Sequence, residues 1–301
     1  MAIKKLGIDI GNFAVKTSEG VIFESKITDK FAHGSTADTI KLGNITYCIG
    51  EGDEEIGYKK FEKENFIPLL IGAICKSTDE EVVDLALGLP VKQFANHKND
   101  VINMLQGKIF KVRYKNEVNE REIFIKSVQV FPEGVTGYLH FSKDVYDKVG
   151  SRDVVIIDVG GKTTDIALIK SNKAEKPYSI DIGTIDIYDT IAKSIETDKR
   201  FESEVKVPRD KVQDYIDKGF YFKGEKQDIR PNIAASMDLF KKIYNELKLN
   251  YPIATEAVIV MGGGAKLLGA AFKNNVPGII VMDNIDNYVF ANANGYRKMM
   301  K

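Results

Sequence analysis

Leu6-Gly7-Ile8-Asp9-Ile10-Gly11-Asn12, running on through Phe13-Ala14-Val15-Lys16-Thr17, is an apolar strand that ends on an aspartate, turns on a glycine and returns. The pattern occurs a second time as Ile156-Ile157-Asp158-Val159-Gly160-Gly161, followed by Lys162-Thr163-Thr164-Asp165-Ile166-Ala167. Asp9 and Asp158 are 149 residues apart, and Gly11 and Gly160 are separated by the same 149. A carboxylate at the end of a buried strand is poorly placed for stability. Two such ends set face to face can hold a metal and the phosphates of a nucleotide. The glycines let backbone N–H groups approach phosphate oxygens. The aspartates suit Mg²⁺ held through water, because that ion keeps much of its hydration shell. Lys16, on the returning strand, reaches a phosphate as a point charge, with a solvated strand lysine as the competing reading.

One Asp-x-Gly alone is weak, since strand–turn junctions use these residues for geometry; the repeat makes it specific. A Walker loop is excluded. Gly161-Lys162-Thr163 resembles the tail of GxxxxGK[ST], but the first glycine would fall on Ile156, inside the strand. Gly262-Gly263-Gly264 lies between the apolar run Ala257–Met261 and a helix, where N–H groups accept an anion or a nucleotide face. Glu133, in Phe131-Pro132-Glu133-Gly134, follows an apolar strand and is placed to orient or deprotonate a water. The bland alternatives are a tight turn and an exposed glutamate.

The 301 residues allow one large or two medium domains with ample core. Formal net charge is zero, so no global field recruits nucleic acid or an anionic membrane. The two cysteines, Cys48 and Cys75, form no CxxC pair, and the three histidines, His33, His97 and His140, have no ligand spacing. Reduced core thiols of a cytoplasmic protein are expected. Asp9 breaks the first apolar run, which argues against a signal peptide, and the longest apolar stretch, Phe66–Cys75, is too short for a bilayer.

Periodicity predicts strands over 3–10, 14–27, 45–49, 82–89, 108–114, 122–131, 153–170 (a hairpin), 178–182, 257–261 and 278–282. It predicts helices over 66–76, 93–105, 184–195 with Thr184 as N-cap, 233–249, 265–272 and 287–300. A turn is expected at 115–117. Residues 28–65 are polar and read as an insertion rather than core, as do the charged residues 198–230. The halves divide near Gly150-Ser151, giving α/β layers at 1–150 and 151–301.

The order Asp9-x-Gly, Pro132-Glu133, Asp158-x-Gly-Gly, Gly262-Gly263-Gly264 is similar to the actin, sugar-kinase and heat-shock-chaperone ATPase superfamily. Gly11-Asn12-Phe13 with Lys16, Glu133, Gly183-Thr184-Ile185-Asp186 and Ala291-Asn292-Ala293-Asn294-Gly295-Tyr296 resemble the bacterial plasmid-segregation actins, the ParM and AlfA group. The resemblance covers nearly the whole chain. It implies an actin-like fold of two duplicated RNase-H-like domains with a nucleotide cleft between them. The outer subdomains would be inserted at about 28–65 and about 185–230, and the last helix would pack back toward the first domain. It further implies that Asp9 and Asp158 face Mg²⁺ and that Glu133 positions the hydrolytic water. Gly11, Asn12 and Lys16 would hold phosphates from one side, and Gly160, Gly161, Lys162 and Thr163 from the other. Gly262, Gly263 and Gly264 would meet the adenosine and α-phosphate, and Gly183 the ribose. Lys162-Thr163 departs from the threonines that many relatives carry there.

The resemblance thus implies a Mg-dependent ATPase, with ATP or GTP as nucleotide, that polymerises with itself and segregates plasmid DNA. Its partner would be a DNA-binding adaptor on the centromere, without a membrane or tight direct nucleic-acid binding. The alternative is a small-molecule kinase or other non-polymerising ATPase of the same superfamily. A chaperone-type ATPase would need a substrate-binding domain.

Overall fold

The computed structural model describes residues 2–30, 37–55, 59–115, 117–171, 173–201, 204–282 and 289–301. His33 and the centre of the expected turn at 115–117 lie outside these residues, as does the expected start of the last helix at 287. The strands are β1 (Ile3–Ile10), β2 (Ala14–Thr17), β3 (Ile22–Glu24), β4 (Lys26–Thr28), β5 (Asp38–Leu42), β6 (Ile45–Ile49), β7 (Asp53–Glu54), β8 (Val82–Leu89), β9 (Ile109–Tyr114), β10 (Arg121–Pro132), β11 (Val154–Val159), β12 (Thr164–Lys170), β13 (Lys173–Ile180), β14 (Phe220–Phe222), β15 (Glu225–Gln227), β16 (Ala257–Met261) and β17 (Ile280–Val281).

They form two main sheets and the small β14–β15 hairpin. The first sheet runs β3-β2-β1-β8-β10-β9-β5-β6-β4-β7, the second β13-β12-β11-β16-β17. Its first five strands and the whole second sheet share one plan. In each, a hairpin (β1–β2, β11–β12) is flanked on one side by an antiparallel strand and on the other by two parallel strands. Asp9 pairs with Lys16, and Asp158 with Asp165, so the duplication extends to the register.

The helices are α1 (Phe66–Ser77), α2 (Val91–Leu105), α3 (Val135–Tyr138), α4 (Lys143–Val149), α5 (Thr184–Glu196), α6 (Val212–Lys218), α7 (Arg230–Ala234), α8 (Met237–Asn250), α9 (Ala265–Asn275) and α10 (Ala291–Met299). Alternation explains the layers. Val155, Ile157 and Val159 of β11 face one buried cluster, with Ile187 and Ile191 of α5 and Phe240 of α8. Val154 and Ile156 face another, with Tyr138, Val145 of α4 and Ala291 of α10. A strand covered on both faces has to be apolar throughout, as Val-Val-Ile-Ile is.

Four details differ from the sequence expectation. Residues 28–65 do not stand outside the core, because β5 and β6 extend the first sheet and Ile40, Ile49 and Phe61 join its buried cluster. Likewise Phe201, Val207, Val212, Phe220 and Ile229 anchor the charged 198–230 stretch to the second core, and α5, inside the 185–230 span, lies against that sheet. The helix expected over 233–249 is two helices, with Ala235 and Ser236 between them. Gly183, not Thr184, holds the N-cap of α5, and its N–H donates to Asp186 Oδ2 at 3.0 Å.

The last helix lies against the first sheet. A Cβ on Gly7 would come within 2.0 Å of the Ala293 carbonyl, and one on Gly88 within 1.9 Å of the Tyr296 hydroxyl. Glycine at both sites is what allows this approach. Gly7 and Asp9 share one face of β1, because alternate residues do. The same face of the first sheet therefore presents α10 and the aspartate.

Candidate nucleotide site in the cleft

The ends of β1 and β11 open into one cleft. It is lined by Asp9, Gly11, Asn12, Phe13, Lys16, Glu133, Asp158, Gly160, Gly161, Lys162, Thr163, Gly262 and Gly263, joined by Lys60, Asp165, Val289 and Asn292. The fold thus gathers most of the residues singled out in sequence. Two are not at its wall. A Cβ on Gly183 would sit 2.4 Å from the Gly161 carbonyl, and one on Gly264 2.2 Å from Val159 Cγ1. Their smallness lets backbone segments pack behind the cleft.

On the first side, Lys16 Nζ lies 3.3 Å from Asp9 Oδ2, and both side chains are largely buried. A Cβ on Gly11 would meet the Ala14 carbonyl at 2.7 Å and Lys16 Nζ at 3.1 Å, so the turn closes only around glycine. The Asn12 side-chain Oδ1 accepts a hydrogen bond from Lys63 Nζ.

On the second side, Asp158 Oδ2 accepts from Asn292 Nδ2 at 2.7 Å, and Asn292 Oδ1 accepts from the Gly134 N–H at 2.9 Å. One amide of α10 thus ties the second hairpin to the turn that carries Glu133. Burial, and then the neighbouring Asp165 and Asp9 charges, push the Asp158 carboxyl up to about 6 against the lowering effect of Asn292. Asp165 is also pushed up to about 6, chiefly by burial and by Glu133, although Ser179 and Thr163 donate to it. Gly262 has φ +84°, and a Cβ there would strike Asp158 Oδ1 at 2.2 Å. Gly263 has no heavy atom within 4 Å of its Cβ position, so it faces open space. Lys162 Nζ is held by Asp186 Oδ1 at 2.6 Å.

Glu133 is buried in the same cleft. It follows β10, is 5% exposed, and its Oε1 lies 2.7 Å from Lys60 Nζ. Burial pushes its carboxyl up to about 7, with Asp9 and Asp158 adding to the rise and Lys60 opposing it. Burial by itself would lower the Lys60 ammonium, but the Glu133, Asp9 and Asp165 charges outweigh it and hold the lysine protonated. The sequence reading missed Lys60, Asp165 and Asn292 as site residues. Asp165 was legible, because it stands seven residues after Asp158 as Lys16 does after Asp9. Lys60 carries no local signal, and Asn292 stands in the closing motif Ala291–Tyr296 with no site role read for it.

Comparison with known proteins bears on the fold that builds this cleft. Residues 7–135 match the actin-like proteins N-terminal domain, and residues 156–274 match the C-terminal domain of the archaeal actin homologue, MreB-like. An archaeal actin homolog of Thermoplasma volcanium is 29% identical over 282 residues, covering 89% of this chain and 82% of that protein. The Thermoplasma acidophilum archaeal actin homolog is 28% identical over the same length, with the same coverage. Among solved structures, an archaeal actin homolog in complex with ADP superposes with a TM-score of 0.81 at 24% identity, over 98% of both chains. A subunit of a 15-stranded ParM filament from Clostridium botulinum superposes with a TM-score of 0.78 at 21% identity, over 99% of both. The chain has the actin-like ATPase fold.

Proposed function

We propose that this chain binds and hydrolyses ATP in the cleft and assembles with copies of itself into filaments whose life is set by hydrolysis. The observation that carries the reading is the meeting of both Asp-x-Gly hairpins with Glu133 in one cleft. Likeness to an ADP-bound archaeal homolog and to a filament subunit supports it.

The cleft suits a divalent cation. Asp9 and Asp158 supply hard oxygen donors, and such an ion would offset the burial, and the added Asp165 and Asp9 charges, that raise Asp158. Mg²⁺ would be held there by Asp9 and Asp158 together with the phosphates. When bound, it would neutralise charge that builds on the phosphate oxygens. The chain itself does the rest. Gly11, Asn12 and Lys16 hold phosphate from one side, with Gly160, Gly161 and Thr163 opposite and Gly262 and Gly263 at the nucleotide's other end. Lys162 joins them on release from Asp186. Glu133 orients a water and accepts its proton as the water oxygen bonds to the γ-phosphorus. The bond from that phosphorus to the β-phosphate oxygen breaks, leaving ADP and phosphate.

Growth into a filament needs a heterologous, non-closing contact whose strength differs between nucleotide states. The segments at about 28–65 and 198–230 are the surfaces we assign to it. Segregation of plasmid DNA through a DNA-binding adaptor in the cytoplasm rests on the sequence resemblance and on the likeness to the ParM filament subunit. No helix among the described residues is long and apolar enough to cross a membrane.

Right-angle light scattering with pelleting after Mg-ATP addition tests the reading, on the wild type and Glu133→Ala. The wild type is expected to assemble above a threshold concentration and to disassemble as phosphate appears, while the variant assembles and persists. If neither pellets at any concentration, salt or nucleotide, polymerisation is wrong, and a screen of phosphate acceptors takes its place.

A further inference from the structure

The turn at 59–65 reaches from the outer part of the first domain into the cleft. It includes a short helical turn, Lys60–Glu62. Lys60 is 8% exposed and its ammonium meets Glu133 at 2.7 Å. Three residues on, Lys63 donates to Asn12 in the first hairpin. Phe61, between them, is buried in the first-domain core and lies 5.5 Å from the His97 ring. Upstream, the Glu55 carboxylate accepts the N–H groups of Glu64 at 3.3 Å and Asn65 at 3.0 Å, which braces the turn against the strands before it.

A buried lysine facing one glutamate is costly to build, because both ions lose water. Packing does not call for an ammonium here, since Phe61 already supplies the apolar anchor. We propose that Lys60 is a positioning residue for Glu133: its ammonium aims the Glu133 carboxylate into the cleft and ties it to the turn at 59–65. This rests on the reading of Glu133 as the residue that handles the water. Lys60 opposes the rise that burial, Asp9 and Asp158 impose on the Glu133 carboxyl, and its 2.7 Å contact fixes which oxygen is held and which is left to face the cleft. Because the turn is braced by Glu55, the hydrolysis site is mechanically joined to the outer segment of the first domain.

The test measures phosphate release, nucleotide affinity (titration with a fluorescent ADP analogue) and melting midpoint. The variants are Lys60→Met, Lys60→Arg, Glu133→Gln and the double variant Lys60→Met/Glu133→Gln. Lys60→Met is expected to lower phosphate release roughly 100-fold while affinity stays within about threefold, a split that marks loss in the reacting state only. Lys60→Arg, which keeps the charge, is expected to regain most of the rate. Two residues acting as a unit give non-additive losses, so the double variant should release phosphate no more slowly than Glu133→Gln. It also removes both buried charges, so its melting midpoint should recover toward wild type. It carries the test if Lys60→Met does not fold. The proposal is overturned if Lys60→Met hydrolyses within threefold of wild type, or if its loss adds in full to that of Glu133→Gln. A Glu133→Gln variant that hydrolyses at the wild-type rate overturns the underlying reading of Glu133 instead.

Discussion

Seven residues after its aspartate, the first hairpin carries Lys16 and the second carries Asp165. The backbones and registers match, and the sign of the charge does not. Lys16 neutralises Asp9 at 3.3 Å, whereas Asp165 adds to the negative charge around Asp158. The first half thus places a cation next to its glycine turn. The second offers paired carboxylates, whose repulsion a metal or a proton relieves. One duplicated framework thus carries opposite charge at equivalent positions.

The sharpest way to break this comparison is to make the first hairpin like the second. Lys16→Asp removes a phosphate-facing cation and adds a buried carboxylate beside Asp9, a change of the size of losing a buried partner. Nucleotide affinity is expected to fall by roughly 100-fold or more. An affinity within threefold of wild type, measured by fluorescent-nucleotide titration, would show that Lys16 is only a strand lysine.

Next in size is the pair Gly262→Ala and Gly263→Ala. The first forces a side chain to φ +84° and into Asp158. It is expected to destabilise by about 2–4 kcal/mol, from backbone strain plus overpacking. The second meets nothing within 4 Å, so it should melt like wild type and report on nucleotide contact alone. Equal melting midpoints for the two would contradict the geometry.

The charge asymmetry also has a pH signature. Glu133 is raised to about 7 and Asp158 and Asp165 to about 6, while the same groups in the unfolded chain titrate near their ordinary values of about 4. Between those limits the folded chain binds more protons than the unfolded one, so stability falls as pH rises through the window and is lowest above about 7. The nucleotide-free protein should therefore melt higher at about pH 5.5 than at about pH 8, by an amount equivalent to a few kcal/mol at most. Mg-nucleotide should narrow the gap. A nucleotide-free protein that melts higher at pH 8 would mean these carboxylates are solvated.

The smallest contrast is between the two glycine turns. A Cβ on Gly11 meets a carbonyl at 2.7 Å and Lys16, whereas on Gly160 its nearest neighbour is the Thr163 carbonyl at 3.1 Å. Gly11→Ala is expected to lower the melting midpoint more than Gly160→Ala, by about 1 kcal/mol or less in stability. The reverse order would mean that the second turn is the tighter one.

Much of the cleft was legible because its parts are local. Asp9-x-Gly11 and Asp158-x-Gly160 announce themselves as strand, acid and turn, and Pro132-Glu133 ends an apolar strand just as plainly. The readings that failed depended on distant partners. Residues 28–65 look polar because β5 and β6 each have only part of a face to bury, yet Ile40 and Ile49 find the core through strands far along the chain. For Gly183 and Gly264 the fold adds a packing role that the sequence does not show, since each gives room to a neighbouring segment, Gly161 and Val159 respectively. The break at Ala235-Ser236 is invisible to helical periodicity, since the apolar stripe runs through it.

By itself, then, the amino-acid sequence determined the duplicated strand–turn–strand units, the alternation of helix and strand and the acids at the strand ends, because backbone periodicity and turn chemistry act over a few residues. The tertiary structure alone decided which residues share the cleft. Asn292 reaches Asp158 across 134 residues and Lys60 reaches Glu133 across 73. No local rule records such a meeting, since the charge state and aim of a buried group are set by whatever the fold brings within a few ångströms of it.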